Sequence, residues 1–188
     1  MEIESISELR EVIAYEKKQY KIRPFDYFTN APKVDIFRYV KLLRKCEFYK
    51  NRAVKMGGVY VAIFSLLRIR KNALGKRLGI EIGEFACGRG LLIYHAGSIV
   101  INGGSRIGDN LRLHGGNCIG NNGKDSACPN IGEGVEVGYG GVIIGNISLG
   151  SNIKIAANAT VVKDCLIDGV TLVGTPAKAK SKTETRDD

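Results

Sequence analysis

The chain has 188 residues, 44% of them hydrophobic and 25% charged, with a formal net charge of +9. That balance suits a soluble globular protein and excludes disorder as the default. The 24 glycines set it apart, all at or beyond Gly57, together with the absence of tryptophan. Such spending on glycine points to many tight corners or positive φ angles.

The charge is uneven. Residues 1–79 hold 18 Lys and Arg against 8 Asp and Glu, whereas residues 80–188 hold 10 against 11. The excess peaks at Arg68, Arg70, Lys71, Lys76 and Arg77. A solvated helix face is the plain reading; an anionic membrane surface, nucleic acid or a phosphorylated substrate are the functional ones. Of these, a peripheral contact with an anionic membrane through the basic segment stays open, and nucleic acid is not expected. The N-terminus has no secretory order of basic then apolar residues. The longest apolar run, Val59 to Leu67, is about half the ~20 residues that a transmembrane helix needs. No transmembrane segment is expected, and the location that follows is cytoplasmic.

In chain order, residues 3–20 place Ile3, Ile6, Leu9, Ile13 and Tyr20 at helical spacing, and Asp35 to Tyr49 repeat the pattern. Pro24, Asn30 and Pro32 mark the turn between them. A third helix is expected over about 51–74, stopping at Gly75 or Gly79. Beyond Gly79 the period changes to six. Ile101, Ile107, Leu113 and Ile119 stand six apart, as do Ile131, Val137, Ile143, Leu149, Ile155 and Val161. A second apolar series (Leu111, Val135, Ile147, Ile153, Ala159) stands four residues after the first.

A six-residue repeat signals a parallel β-helix, in which three hexads make a coil of about 18 residues. Aliphatic side chains fill the prism, Gly and Asn relieve its corners, and coils stack by parallel hydrogen bonding. An antiparallel sandwich would show alternation and wider turn spacing instead. The fold class is therefore mainly β, with an N-terminal helical segment (1–79), a β-helix (80–178) and a polar tail (179–188). Residues 120–130, GNNGKDSACPN, put Asp125 where an aliphatic residue belongs, and read as a loop thrown out from the coil.

Little else offers chemistry. The five cysteines (Cys46, Cys87, Cys118, Cys128, Cys165) show neither CxxC nor zinc spacing, so reduced thiols and no metal are expected. The GRG, GEG and GYG strings are repeat corners, not phosphate loops. Only His95 and His114 offer a neutral-pH base. His95 falls in a formal aliphatic slot six residues before Ile101, and His114 should point outward; a structural or surface role is the plain reading of each.

Residues 80–178 resemble the serine acetyltransferase branch of the hexapeptide-repeat acyltransferases, and still more the short members associated with capsule and exopolysaccharide gene sets. The segments carrying the resemblance are GRGLLIYHAGSIVI, SRIGDNLRLHGGNCIGNNGK, PNIGEGVEVGYGGVIIGNISLG, NIKIAANATVV and VGTPAK. The resemblance implies a left-handed winding, a homotrimer, acetyl-CoA as donor and a small-molecule hydroxyl acceptor. It places the catalytic base at His95 and its carboxylate partner at Glu81. Substrate contacts fall on Tyr94 and Cys128, where the family has Asp and His. These two departures favour a sugar acceptor over free L-serine, with Asp35 or Glu47 from the helices as carboxylates that would restore serine binding. Cofactor contacts fall on Asn121, Tyr139, Lys154, Ala157 and Lys178. A non-catalytic repeat scaffold is the remaining alternative; a metal-dependent trimer needs more histidines than two.

Overall fold

The structure, a computed structural model, describes residues 2–180. Four helices come first: α1 (Ile6–Gln19), α2 (Pro24–Phe28), α3 (Pro32–Met56) and α4 (Val59–Leu78). Ser5 caps α1 by accepting from the Glu8 N–H at 3.0 Å. The turn marked by two prolines contains the single-turn α2, and Pro32 opens α3 at a position where its missing N–H costs nothing.

The expected break near residue 50 is not there. The chain stays helical to Met56 and reverses at Gly57–Gly58, both with positive φ (61° and 56°). Nothing between Tyr49 and Lys55 disfavours helix, whereas two adjacent glycines remove the steric bar to the reversal. α4 ends at Gly79, whose φ of 65° is left-handed; a Cβ there would lie 2.9 Å from the Ser98 nitrogen. The helical period therefore stops where the six-residue period starts.

From Ile80 the chain visits three parallel sheets in turn. The first face holds β1 (Ile80–Ile82), β3 (Ile99–Ile101), β6 (Cys118–Gly120), β9 (Val142–Ile144) and β12 (Thr160–Val161). The second holds β4 (Arg106–Ile107), β7 (Asn130–Ile131) and β10 (Ser148–Leu149). The third holds β2 (Leu92–Ile93), β5 (Arg112–Leu113), β8 (Glu136–Val137), β11 (Lys154–Ile155), β13 (Thr171–Val173) and β14 (Lys178–Ala179). Pairing is parallel except between β13 and β14. Both aliphatic series are buried, Ile119 and Ile143 fully. Ser105 and Asn117 take inner slots that the apolar pattern left unfilled, and are likewise buried.

The helices close the open end of this coil. Arg44, on α3, is fully buried between Glu16 (2.8 Å) and Glu47 (2.9 Å) and donates to the carbonyls of Cys87 and Gly88. Glu16 accepts from the N–H groups of Gly90 and Leu91, and Glu47 from that of Phe85. The Tyr20 and Tyr39 hydroxyls accept from the N–H groups of Ile93 and Ile82, each at 3.0 Å. Lys71 donates to the Ile82 carbonyl and to Glu84. Backbone groups that have no preceding coil to pair with are satisfied by side chains instead.

Removing one partner of a buried ion pair leaves an uncompensated charge. Arg44→Ala is expected to cost about 3–5 kcal/mol of stability, read as a fall in chemical-denaturation midpoint with an unchanged slope. A loss under 1 kcal/mol would mean that the cap does not hold the coil.

Candidate active site

Two corners of the prism flank the first face, and the residues expected to do chemistry divide between them. The corner entering the first face carries His95 in its coil, then Gly115–Gly116, Tyr139 and Ala157 in the coils that follow. It is laddered by Gly116 N–H to Gly97 O, Gly140 N–H to Gly115 O and Asn158 N–H to Tyr139 O at 2.8–3.0 Å. Tyr139 lies over the two glycines, where a Cβ on Gly115 would come within 3.1 Å of its ring and 3.3 Å of the His95 carbonyl. Beneath this corner Asn117 accepts from the Gly115 N–H and donates to the Gly138 and Gly141 carbonyls. It is a positioning residue that the hexad pattern hid, because it takes an apolar slot.

His95 escapes its formal aliphatic slot for a geometric reason. Ile93 pairs with Leu113 and Ile101 with Ile119, so the inward residues of this corner are eight apart, against six in the next coil. Two extra residues widen the corner and put His95 outside, exposed, with no hydrogen bond to its ring among the described residues. Glu81, also exposed, sits in β1 opposite Val100. No hydrogen bond joins Glu81 to His95 among the described residues.

The corner leaving the first face carries the loop. Ile119 and Ile131 are consecutive inward residues twelve apart, so the loop is one inserted hexad. Asn121 donates to the Asp125 carbonyl at 2.9 Å, and the Asp125 and Asn122 side chains accept from N–H groups within the loop. Cys128 is partly buried beside Gly104 and donates to the Ser126 carbonyl at 3.6 Å. Burial pushes the thiols of Cys46 and Cys87 up to about 11 and about 12, which leaves neither as a thiolate nucleophile near neutral pH.

The third face holds what the sequence did not suggest. His114, half-buried, meets Glu136 at 2.7 Å through Nε2, and the Tyr94 ring lies over it with centroids 4.6 Å apart. Arg112 stands 3.8 Å from Glu136. Lys154 is on this face, one rung from Glu136, in the strand that leads into the Tyr139–Ala157 corner. Lys178 is exposed on β14 at the far end of the same face. The helical carboxylates are committed elsewhere, Glu47 to Arg44 and Asp35 to Arg38 and Arg77. Among the described residues no group of three or more His, Cys, Asp or Glu could hold a metal, and no helix is long and apolar enough to cross a membrane.

A prism of six-residue repeats with an exposed histidine at its corner fits the class that the chain resembles, the hexapeptide-repeat acetyltransferases. More particularly, it is similar to serine acetyltransferases and to an acetyltransferase of exopolysaccharide synthesis. The Helicobacter pylori serine acetyltransferase is 41% identical over 55% of this chain and 62% of its own length. The putative colanic acid biosynthesis acetyltransferase WcaB of Escherichia coli is 42% identical over 54% of this chain and 64% of its own length. The chain thus spans less than two thirds of these curated relatives. Among solved structures, Neisseria gonorrhoeae serine acetyltransferase superposes with a TM-score of 0.72 at 28% identity, covering 94% of this chain and 68% of that one. No family model matches the chain.

The two histidines predict different stability effects. His95→Ala is expected to change stability by no more than about 0.5 kcal/mol, as for an exposed group. His114→Ala, which loses an imidazole–carboxylate contact and a ring contact, should cost about 1–2 kcal/mol. Paired thermal melts check this, and equal costs would contradict the arrangement.

Proposed function

We propose that the protein is an acetyl-CoA-dependent O-acetyltransferase that works as a homotrimer and acetylates a hydroxyl of a small acceptor, a sugar unit of a surface polysaccharide. The single observation that carries this is the widened corner that puts His95, free of partners among the described residues, at the edge of the first face. His95 takes the proton of the acceptor hydroxyl, and the oxygen attacks the thioester carbon. The tetrahedral oxyanion, stabilised by backbone N–H groups, collapses to release the thiolate of CoA, which takes the proton back from the imidazolium. Glu81 is assigned as the residue that orients His95, on its longer arm. Domain roles follow: residues 1–79 cap, residues 80–178 form a left-handed acyltransferase prism, and residues 179–188 are a polar tail whose first two residues, Ala179 and Lys180, still pair with the third face. Of that tail, 181–188 lie outside the described residues.

The trimer has its own support. The outward row of the first face reads Glu81, Val100, Cys118, Val142 and Thr160, with Ile144 and Val162 beside it. The third face instead presents Arg112, Glu136 and Lys154. An apolar face is the one to turn inward in a closed ring. The His95 corner of one copy then meets the Asn121 and Cys128 corner of the next. That brings the acceptor residues Tyr94 and Cys128, and the donor residues Asn121, Tyr139 and Ala157, to one cleft; Lys154 and Lys178 belong to the donor's charged end.

A sugar acceptor is favoured because Tyr94 and Cys128 stand where the resemblance has Asp and His, and the helical carboxylates Asp35 and Glu47 are already paired. The names of the relatives keep L-serine as the second reading. The basic, apolar hairpin of α3 and α4 supports a peripheral contact with anionic membrane: α4 has no acidic residue and exposes Val59, Leu66 and Ile69 beside Arg68 and Arg70. Binding to anionic vesicles, abolished in Arg68→Glu with Arg70→Glu, tests that contact. A cytoplasmic enzyme supplied with acetyl-CoA fits the whole.

His95→Ala is expected to lower turnover by roughly 100-fold or more, with acetyl-CoA binding retained, in an assay of CoA-thiol release. Loss of activity in His114→Ala with retention in His95→Ala would reassign the base. Val142→Asp should convert the trimer to monomer in sedimentation and abolish activity; an active monomer would remove the shared cleft. Serine turned over with a Michaelis constant in the low millimolar range, and no sugar turned over, would replace the sugar reading by the serine one.

A further inference from the structure

A second concavity, about 1020 Å³, lies between the helical cap and the third face. Its size is at the upper end of ligand sites and well beyond what one amino acid fills. The floor is the outward row Leu92, Arg112, Glu136 and Lys154, which are register partners on successive coils. Parallel strands set those side chains about 4.8 Å apart. One wall is Tyr15 of α1, whose hydroxyl donates to Asn110 at 2.8 Å and so fixes the ring against the coil. Lys21, just past α1, faces the floor across the groove. Tyr94 closes the end nearest the first face, and is followed in sequence by His95.

The charges are unbalanced. Glu136 is the single carboxylate lining the groove, and it is already engaged by His114 and approached by Arg112. Against it stand Lys21, Arg112 and Lys154, while Lys33, also lining it, is paired with Asp26. Neither Lys21 nor Lys154 has an ion pair among the described residues. A guanidinium with two ammonium groups on one wall and floor is the chemistry that takes a phosphate or diphosphate. The tyrosines of the wall and of the closed end, Tyr15 and Tyr94, give a sugar ring an apolar surface with a hydroxyl beside it.

Resting on the reading that the acceptor is a sugar, we propose that this groove receives it as a phosphate-bearing saccharide. Arg112 and Lys21 hold the phosphate, and the sugar lies against Tyr94 with its hydroxyl directed toward His95. The phosphate is a handle, unchanged in the reaction; the hydroxyl exchanges its proton for the acetyl group. The same chemistry is met by a nucleotide diphosphate sugar or by a lipid-linked sugar diphosphate.

The test is direct binding to the full-length protein, by calorimetry, of UDP-glucose, glucose 1-phosphate, methyl glucoside and a short-chain polyprenyl diphosphate glucose in detergent. Phosphorylated probes are expected to bind at least tenfold more tightly than methyl glucoside, with affinity falling as salt is raised. Arg112→Ala combined with Lys21→Ala is expected to lower UDP-glucose affinity tenfold or more while the thermal midpoint is kept. Lys21→Arg should restore affinity relative to Lys21→Ala. Tighter binding of the polyprenyl or of the nucleotide probe identifies the source, and either supports the groove. Equal UDP-glucose affinity in the wild type and the double variant, or methyl glucoside binding as tightly as UDP-glucose, overturns it even if methyl glucoside is acetylated. Acetylation of serine with no sugar turned over overturns the sugar reading, and with it the claim that this groove's ligand is the acceptor.

Discussion

A parallel coil stabilises itself only by stacking, so its first turn begins with one side of its backbone unpaired. Everything else in this chain depends on how that edge is answered. Arg44 answers it at the centre, tying two glutamates and the Cys87 and Gly88 carbonyls into one buried knot, while Glu16 and Glu47 take up the N–H groups on either side. Tyr20, Tyr39 and Lys71 extend the same answer along the strand ends. Burying ions is costly, and it is repaid here because nearly every polar atom of the knot finds a partner; Glu16 Oε2 is the exception. The helical segment is therefore the missing neighbour of the first coil, and it fixes β1 and β2, from which the His95 corner starts.

From that start, the prism converts small irregularities of spacing into exposed local features. The strict hexad makes a closed, inert column. Two residues added between Ile93 and Ile101 put an imidazole outside, and six added between Ile119 and Ile131 make the loop. Both insertions fall on the corners that bound the apolar first face, so a ring built on that face juxtaposes them. The third face, left charged, is free for a groove roofed by the cap.

The column was legible in the amino-acid sequence because burial there is a matter of one-dimensional spacing: an aliphatic residue six places on is again inside. Leu113, Ile119 and Ile143 needed nothing more. The helix reversal was misplaced by a few residues because local helix preference does not end where an apolar pattern weakens; it ends at Gly57–Gly58. The His114–Glu136 contact was illegible for a different reason. Rung partners are 18 apart between β8 and β11, but the inserted loop makes them 24 apart between β5 and β8, so no fixed period reveals the pair. Arg44 and Glu16 are likewise joined only by the packing of α1 on α3, and Asn117 was hidden by its polarity in an apolar slot.

The two ends of the column are finished differently from its middle. At the start, charged helices occupy the edge; at the finish, Leu172 and Val173 are covered by β14, which runs the opposite way. A stack of identical rungs with bare ends is a seed on which further chains could add without limit, as exposed strand edges do. Reversing the last strand breaks the parallel pattern that an incoming coil would need to copy, and the ionic plug denies it the other end. On this face the column is thereby given a length as well as a shape, whereas the same repeat, unterminated, is the recipe for a fibre.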